Sequence, residues 1–102
     1  MVRQIIWSRL AQKERLQILY YWDNRNKSKA FSIKLNRLFK HDLNLVCNYP
    51  FIGKPTNKPN IRIKIVREYC LVYEIYEDKI IVLHVWDSRR NPKDFKFEAK
   101  IN

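Results

Sequence analysis

Residues 60–92, NIRIKIVREYCLVYEIYEDKIIVLHVWDSRRNP, decide how the rest of the chain is read. β-Branched and aromatic residues recur at every second position in three runs, and the joints between the runs are too short to hold a helix. The segment reads as a three-stranded meander. In the first run Ile61, Ile63 and Ile65 fall on one face and Arg62 and Lys64 on the other, because successive side chains of a pleated strand point to opposite sides. The isoleucines are expected to face a covering layer, which leaves the two cations on an open face. The third run leads into Asp87-Ser88-Arg89-Arg90-Asn91-Pro92, so Arg89 and Arg90 are expected to arrive at the edge of that face. A basic concave site is the expectation.

Upstream of the meander the periodicity changes from two to that of a helix. Residues 2–7 are a short apolar strand candidate, and Ser8 is placed to cap a helix from Arg9 to about Asn26, a stretch without Pro or Gly. Ala11, Ile18, Leu19 and Trp22 share one side of it, and Leu16 and Tyr20 widen the apolar region enough to predict contacts on more than one side. Tyr20, Tyr21 and Trp22 read as core or as a face covered by a partner, since each aromatic buries a large area. Ser28 is a cap candidate for a second helix to roughly Asn48, with a stripe of Phe31, Leu35, Leu38, Phe39, Leu45 and Val46 interrupted only by Asp42. Lys34, Arg37, Lys40 and His41 are left on its outer side. The short link between the helices predicts an antiparallel hairpin. Pro50 ends the second helix, and residues 50–59, with three of the four prolines and the only glycine, Gly53, read as a stiff exposed crossing. The tail after Pro92 is too short and polar to assign.

The resulting order, β-α-α-β-β-β, predicts an α+β fold in which a helical hairpin covers one face of an antiparallel sheet. A chain of 102 residues makes one domain, residues 1–102. Twenty-one Lys and Arg against ten Asp and Glu give a formal net charge of +11, which points to a polyanionic partner, nucleic acid or an acidic protein segment. A single glycine excludes phosphate-binding loops that need close backbone approach, so no nucleotide cofactor is expected. Cys47 and Cys70 lack metal-ligand spacing, and no metal site or disulfide framework is expected. No apolar run is long enough for a signal peptide or a membrane span, which points to a cytoplasmic protein.

The order of elements, the RIK segment at 62–64, the YCLVYEI strand and the WDSRRNP ending together resemble the RelE/ParE family of bacterial toxins, over nearly the whole chain. The resemblance implies the toxin of a type II toxin–antitoxin pair, held in check by an acidic antitoxin that wraps around it. RelE-like members cut mRNA in the ribosomal A site and ParE-like members poison DNA gyrase; a shared fold does not choose between these activities. On the RelE-like reading the chain is a metal-independent endoribonuclease whose partners are the ribosome and mRNA. Its site is then Arg62, Lys64, Arg89 and Arg90, with Lys64 a candidate base and Arg89 or Arg90 a candidate stabiliser of the phosphorane. Cys70 stands where the nucleases carry an arginine, and Phe95 and Lys96 are nearest to where they carry a tyrosine. These departures imply the alternatives: a non-enzymatic gyrase inhibitor, or a toxin that has lost nuclease activity. Outside the family, a plain nucleic-acid-binding domain fits the charge. His84 reads as a packed or partner-contacting residue alternating with Val82 and Trp86, and Glu74 and Asp87 as internal salt-bridge partners.

Overall fold

The computed structural model describes residues 3–89; Arg90 and the tail, with Phe95 and Lys96, lie outside the described residues. The elements are β1 (Gln4–Trp7), α1 (Arg9–Asn26), α2 (Ala30–Asn48), a 3₁₀ turn (Pro50–Ile52), β2 (Lys54–Pro55), β3 (Ile61–Val66), β4 (Tyr69–Ile75) and β5 (Lys79–Asp87). They form one five-stranded sheet in the order β1-β5-β4-β3-β2. The meander is antiparallel, as its short joints require, whereas β1 pairs with β5 in parallel, Gln4 opposite Lys79 through Trp7 opposite Val82. The sheet is therefore mixed rather than antiparallel. A parallel neighbour needs a long crossover, and the helical hairpin between β1 and the meander supplies it.

Helix α1 begins where the sequence places it, with Ser8 Oγ accepting the Ala11 N–H at 3.0 Å. It ends at Lys27, whose positive φ of 52° turns the chain while its N–H is donated to Asp23 O. Helix α2 starts at Ala30 after Lys29 rather than directly after Ser28, although Ser28 Oγ accepts the Ala30 N–H at 3.2 Å. Ser32 is buried and donates to Asp23, tying the start of α2 to the end of α1.

The main core lies between the hairpin and one face of the sheet. Ala11, Leu35, Phe39 and Leu43 pack on Val66, Tyr69, Leu71, Val82 and Val85, with Ile18, Leu19, Trp22, Phe31 and Leu38 around them. Trp22 Nε1 donates to Tyr69 Oη at 2.7 Å, which satisfies the polar ends of two large rings at that interface. Farther along, Val46 and Cys47 meet Tyr73 and Ile80. The stripe predicted for α2 is recovered with Leu43 added. In α1, Trp22 is core, while Leu16, Tyr20 and Tyr21 are exposed.

The crossing at residues 50–59 is more ordered than a stiff exposed loop. Part of it is the 3₁₀ turn, part joins the sheet edge as β2, and Gly53 and Thr56 are buried. Thr56 Oγ1 donates to Ile61 O at 2.7 Å and accepts the Lys58 N–H at 3.1 Å, closing the bend that returns the chain to β3.

Candidate functional site

The alternation along β3 is present, but its faces are exchanged relative to the sequence reading. Arg62 lies opposite Tyr73, and Lys64 opposite Leu71, on the side covered by the helices. Ile61 and Ile63 instead join Val72, Cys70 and Leu83 in a second apolar cluster on the face away from the helices, and Ile65, on the same row, is exposed. Alternation fixes which residues share a row and leaves open which row is covered; a one-residue shift of register exchanges the two. The covered row is set by Val66, Tyr69, Leu71 and Tyr73, to which Arg62 and Lys64 belong at the sheet's periphery.

Each of these cations is engaged locally. Arg62 Nη1 donates to Phe51 O at 2.9 Å and to Gly53 O at 3.0 Å, and its Cζ lies 5.0 Å from the centroid of the Phe51 ring. The guanidinium thus holds the 3₁₀ turn against β3. Lys64 Nζ sits 3.3 Å from Asp42 Oδ2 on α2, so the polar interruption in the α2 stripe is the counter-ion of a strand lysine. The lysine read as a candidate base is thus paired with a carboxylate.

Arg89 lies just past β5. Its Nε and Nη2 donate to the two carboxylate oxygens of Asp87 at 2.9 and 2.8 Å, and its Nη1 is 3.4 Å from Glu68 Oε2. Hydrogen bonding to Asp87 pushes its pKa further up, so it stays a cation at any working pH. Arg89 borders a hollow of about 380 Å³ with Glu14, Gln17, Tyr21, Tyr69 and Asp87, a lining that includes neither Arg62 nor Lys64. Arg89 therefore lines a hollow into which neither Arg62 nor Lys64 enters.

Sequence reasoning missed the β-bulge in β5. Val72 pairs with His84 but Tyr73 pairs with Val82, leaving Leu83 as an extra residue. Val82 and Val85, three apart, consequently both enter the core, and His84 does not share a row with Val82. His84 Nδ1 instead comes within 3.5 Å of Glu14 Oε1 on α1, and the same carboxylate oxygen accepts the Val85 N–H at 3.0 Å. Cys70, on the uncovered side, has its thiol pKa pushed up by burial, so it is neither an anion nor a phosphate grip. Asp87 is an internal salt-bridge partner as expected.

A wider concavity lies elsewhere, along the hairpin. It is a groove of about 780 Å³ floored by Leu16, Leu19, Tyr20 and Ile33, with Arg9 and Lys13 among its lining. Leu16 and Tyr20 of α1 and Ile33 of α2 are exposed there, the first two in the apolar region that widens the α1 stripe. No group of three or more His, Cys, Asp or Glu among the described residues could hold a metal ion. No described helix is long and apolar enough to cross a membrane.

A strand, a helical hairpin and a three-stranded meander closing one mixed sheet, with a basic surface and an apolar groove on the helices, define a small α+β toxin-like domain. Residues 5–92 match the family described as the ParE toxin of type II toxin–antitoxin system, parDE, and the chain belongs to that family. Among solved structures, it is similar to a chain of the chromosomal ParDE toxin–antitoxin system from P. aeruginosa, with 12% identity and a TM-score of 0.66 over 82% of this chain and 94% of that one. A comparison with curated protein sequences finds no match.

Proposed function

We propose that this ParE-family toxin acts by binding DNA gyrase, without cutting RNA. The observation that carries the reading is the engagement of the cations: Arg62 is spent on two loop carbonyls, Lys64 on Asp42, and Arg89 on Asp87 and Glu68. Cleavage by a ribose 2′-OH needs a base, a cation for the phosphorane and a proton donor around one phosphate. The sheet face away from the helices carries the largely buried apolar cluster of Ile61, Ile63, Cys70 and Val72 and the exposed Ile65, and neither Arg62 nor Lys64.

The test is expression of the chain alone in a bacterium, with plasmid topology and RNA ends mapped in the same culture, together with a supercoiling assay on purified gyrase. Gyrase inhibition and linearised plasmid beside intact transcripts are expected. Transcripts cleaved within codons while supercoiling stays normal would establish the ribosome-dependent nuclease, with Arg62, Lys64, Arg89 and Arg90 as its site.

The antitoxin partner rests on the hairpin groove and the charge. An acidic amphipathic segment suits an apolar floor of Leu16, Tyr20 and Ile33 near Arg9 and Lys13, on a chain of net charge +11. Leu16→Asp is expected to abolish rescue by the cognate antitoxin while leaving toxicity; rescue that persists removes the groove from this role.

A further inference from the structure

The 3₁₀ turn projects three apolar side chains that the core does not use. Tyr49 is 65%, Phe51 62% and Ile52 49% exposed. Exposed apolar residues on a mobile loop would carry no message, but this turn is fixed from below. Tyr73, itself fully buried, donates its hydroxyl to Pro50 O at 2.7 Å and accepts the Gly53 N–H at 3.0 Å. Arg62 bonds the carbonyls of Phe51 and Gly53 and lies behind the Phe51 ring. Directly after the turn, Lys54 pairs with Ile63 in the sheet. A buried phenol and a guanidinium thus hold a three-residue turn in one shape, and such preorganisation removes most of the ordering cost of an interface.

The chemistry of its surroundings is one-sided. No Asp or Glu occurs between Asp42 and Glu68, whereas Lys54, Lys58 and Arg62 do, so the segment that carries the apolar knob is cationic, and Arg62 lies against the Phe51 ring. Aromatic side chains beside arginine are the residues on which binding energy concentrates when they enter a pocket on a partner. The knob is exposed and held in one shape, which suits a pocket in a folded protein; a flexible antitoxin segment is better accommodated in the groove of the hairpin.

We propose that Tyr49, Phe51 and Ile52 form a preformed knob that inserts into an apolar pocket on an acidic face of the toxin's protein target. The proposal rests on the reading that the toxin works by binding a protein, and it adds the surface that makes contact.

The experiment compares the wild-type chain with Tyr49→Ala/Phe51→Ala and with the conservative Phe51→Trp. The readouts are growth inhibition on induction, affinity for purified gyrase, rescue by the coexpressed antitoxin, and binding of a single-stranded oligonucleotide at two salt concentrations. Because both side chains are exposed, the double variant is expected to keep its thermal midpoint, which a melting curve verifies. The expected result is loss of growth inhibition and at least about a tenfold loss of gyrase affinity, with antitoxin rescue unchanged in the Phe51→Trp protein, which stays toxic. Toxicity undiminished in the folded double variant overturns the knob. So does escape of Phe51→Trp from its antitoxin, which would make the turn an antitoxin surface. Oligonucleotide binding that weakens with salt and disappears with the two aromatics would make it a base-stacking platform and also overturns it. If the wild-type chain fails to bind gyrase but the double variant still loses toxicity, the gyrase reading falls and the knob stands for another protein target.

Discussion

Gly53 and Tyr73 show how one residue type decides local geometry. A Cβ added at Gly53 would lie 2.5 Å from Tyr73 Oη and 2.9 Å from Ile63 O, both parts of rigid, buried structure. The only glycine in the chain is needed for close approach, not for an unusual φ. Gly53→Ala is expected to destabilise by about 1–3 kcal/mol, the ordinary range for overpacking, read from urea unfolding. Tyr73→Phe leaves the Gly53 N–H and Pro50 O without their shared partner and is expected to cost about 1–3 kcal/mol by the same measurement. Burial pushes the Tyr69 and Tyr73 phenols up from 10.0, and the Cys47 and Cys70 thiols up from 9.0. An acid whose folded pKa exceeds its unfolded one contributes its stability in full below the unfolded value and loses it as pH rises through the folded one. The urea midpoint is therefore expected to fall steadily from about pH 9 upward and to be insensitive to these four groups below that. The sequence displays Gly53 as a glycine and Tyr73 as a strand aromatic; that the two touch across twenty residues is a tertiary fact no periodicity encodes.

Among the elements, the meander and both helices are legible in the sequence because period-2 and period-3.6 patterns are long there and Pro50 punctuates them. The facing of β3 is not legible. Its isoleucines look like the covered row, yet the longer apolar row is the one shared by Tyr69, Leu71 and Tyr73 on β4, and strand pairing places Arg62 and Lys64 beside it. The bulge at Leu83 was equally hidden, since an extra residue in a continuous apolar run leaves no local trace. The Asp42–Lys64 pair is an element-level contact joining α2 to β3. Lys64→Ala is expected to cost about 1 kcal/mol, as a partly exposed ion pair does, and to leave growth inhibition intact. Growth assays of the folded variant check this, and loss of toxicity there would restore Lys64 as a functional cation.

For the molecule as a whole, the charge of +11 and the broad apolar pattern of α1 are read directly from the sequence, the groove on the hairpin only from the structure, and together they locate a partner better than they locate chemistry. The expected cluster of Arg62, Lys64 and Arg89 required cations free to face one phosphate, and the fold gives each its own carbonyl or carboxylate partners. The parallel pairing of β1 with β5 has a temporal meaning. Ile5 sits opposite Ile80, and the Ser8 N–H is donated to Val82 O at 2.9 Å, so β1 finds its neighbour only after the hairpin and the first two strands of the meander have passed along the chain. Contacts so distant along the chain form late, after the meander and hairpin have collapsed. Ile5→Val is accordingly expected to accelerate unfolding while leaving the refolding rate almost unchanged in stopped-flow denaturant series. Until β5 is in place β1 has no strand to lie beside, and that flank of the sheet stays open.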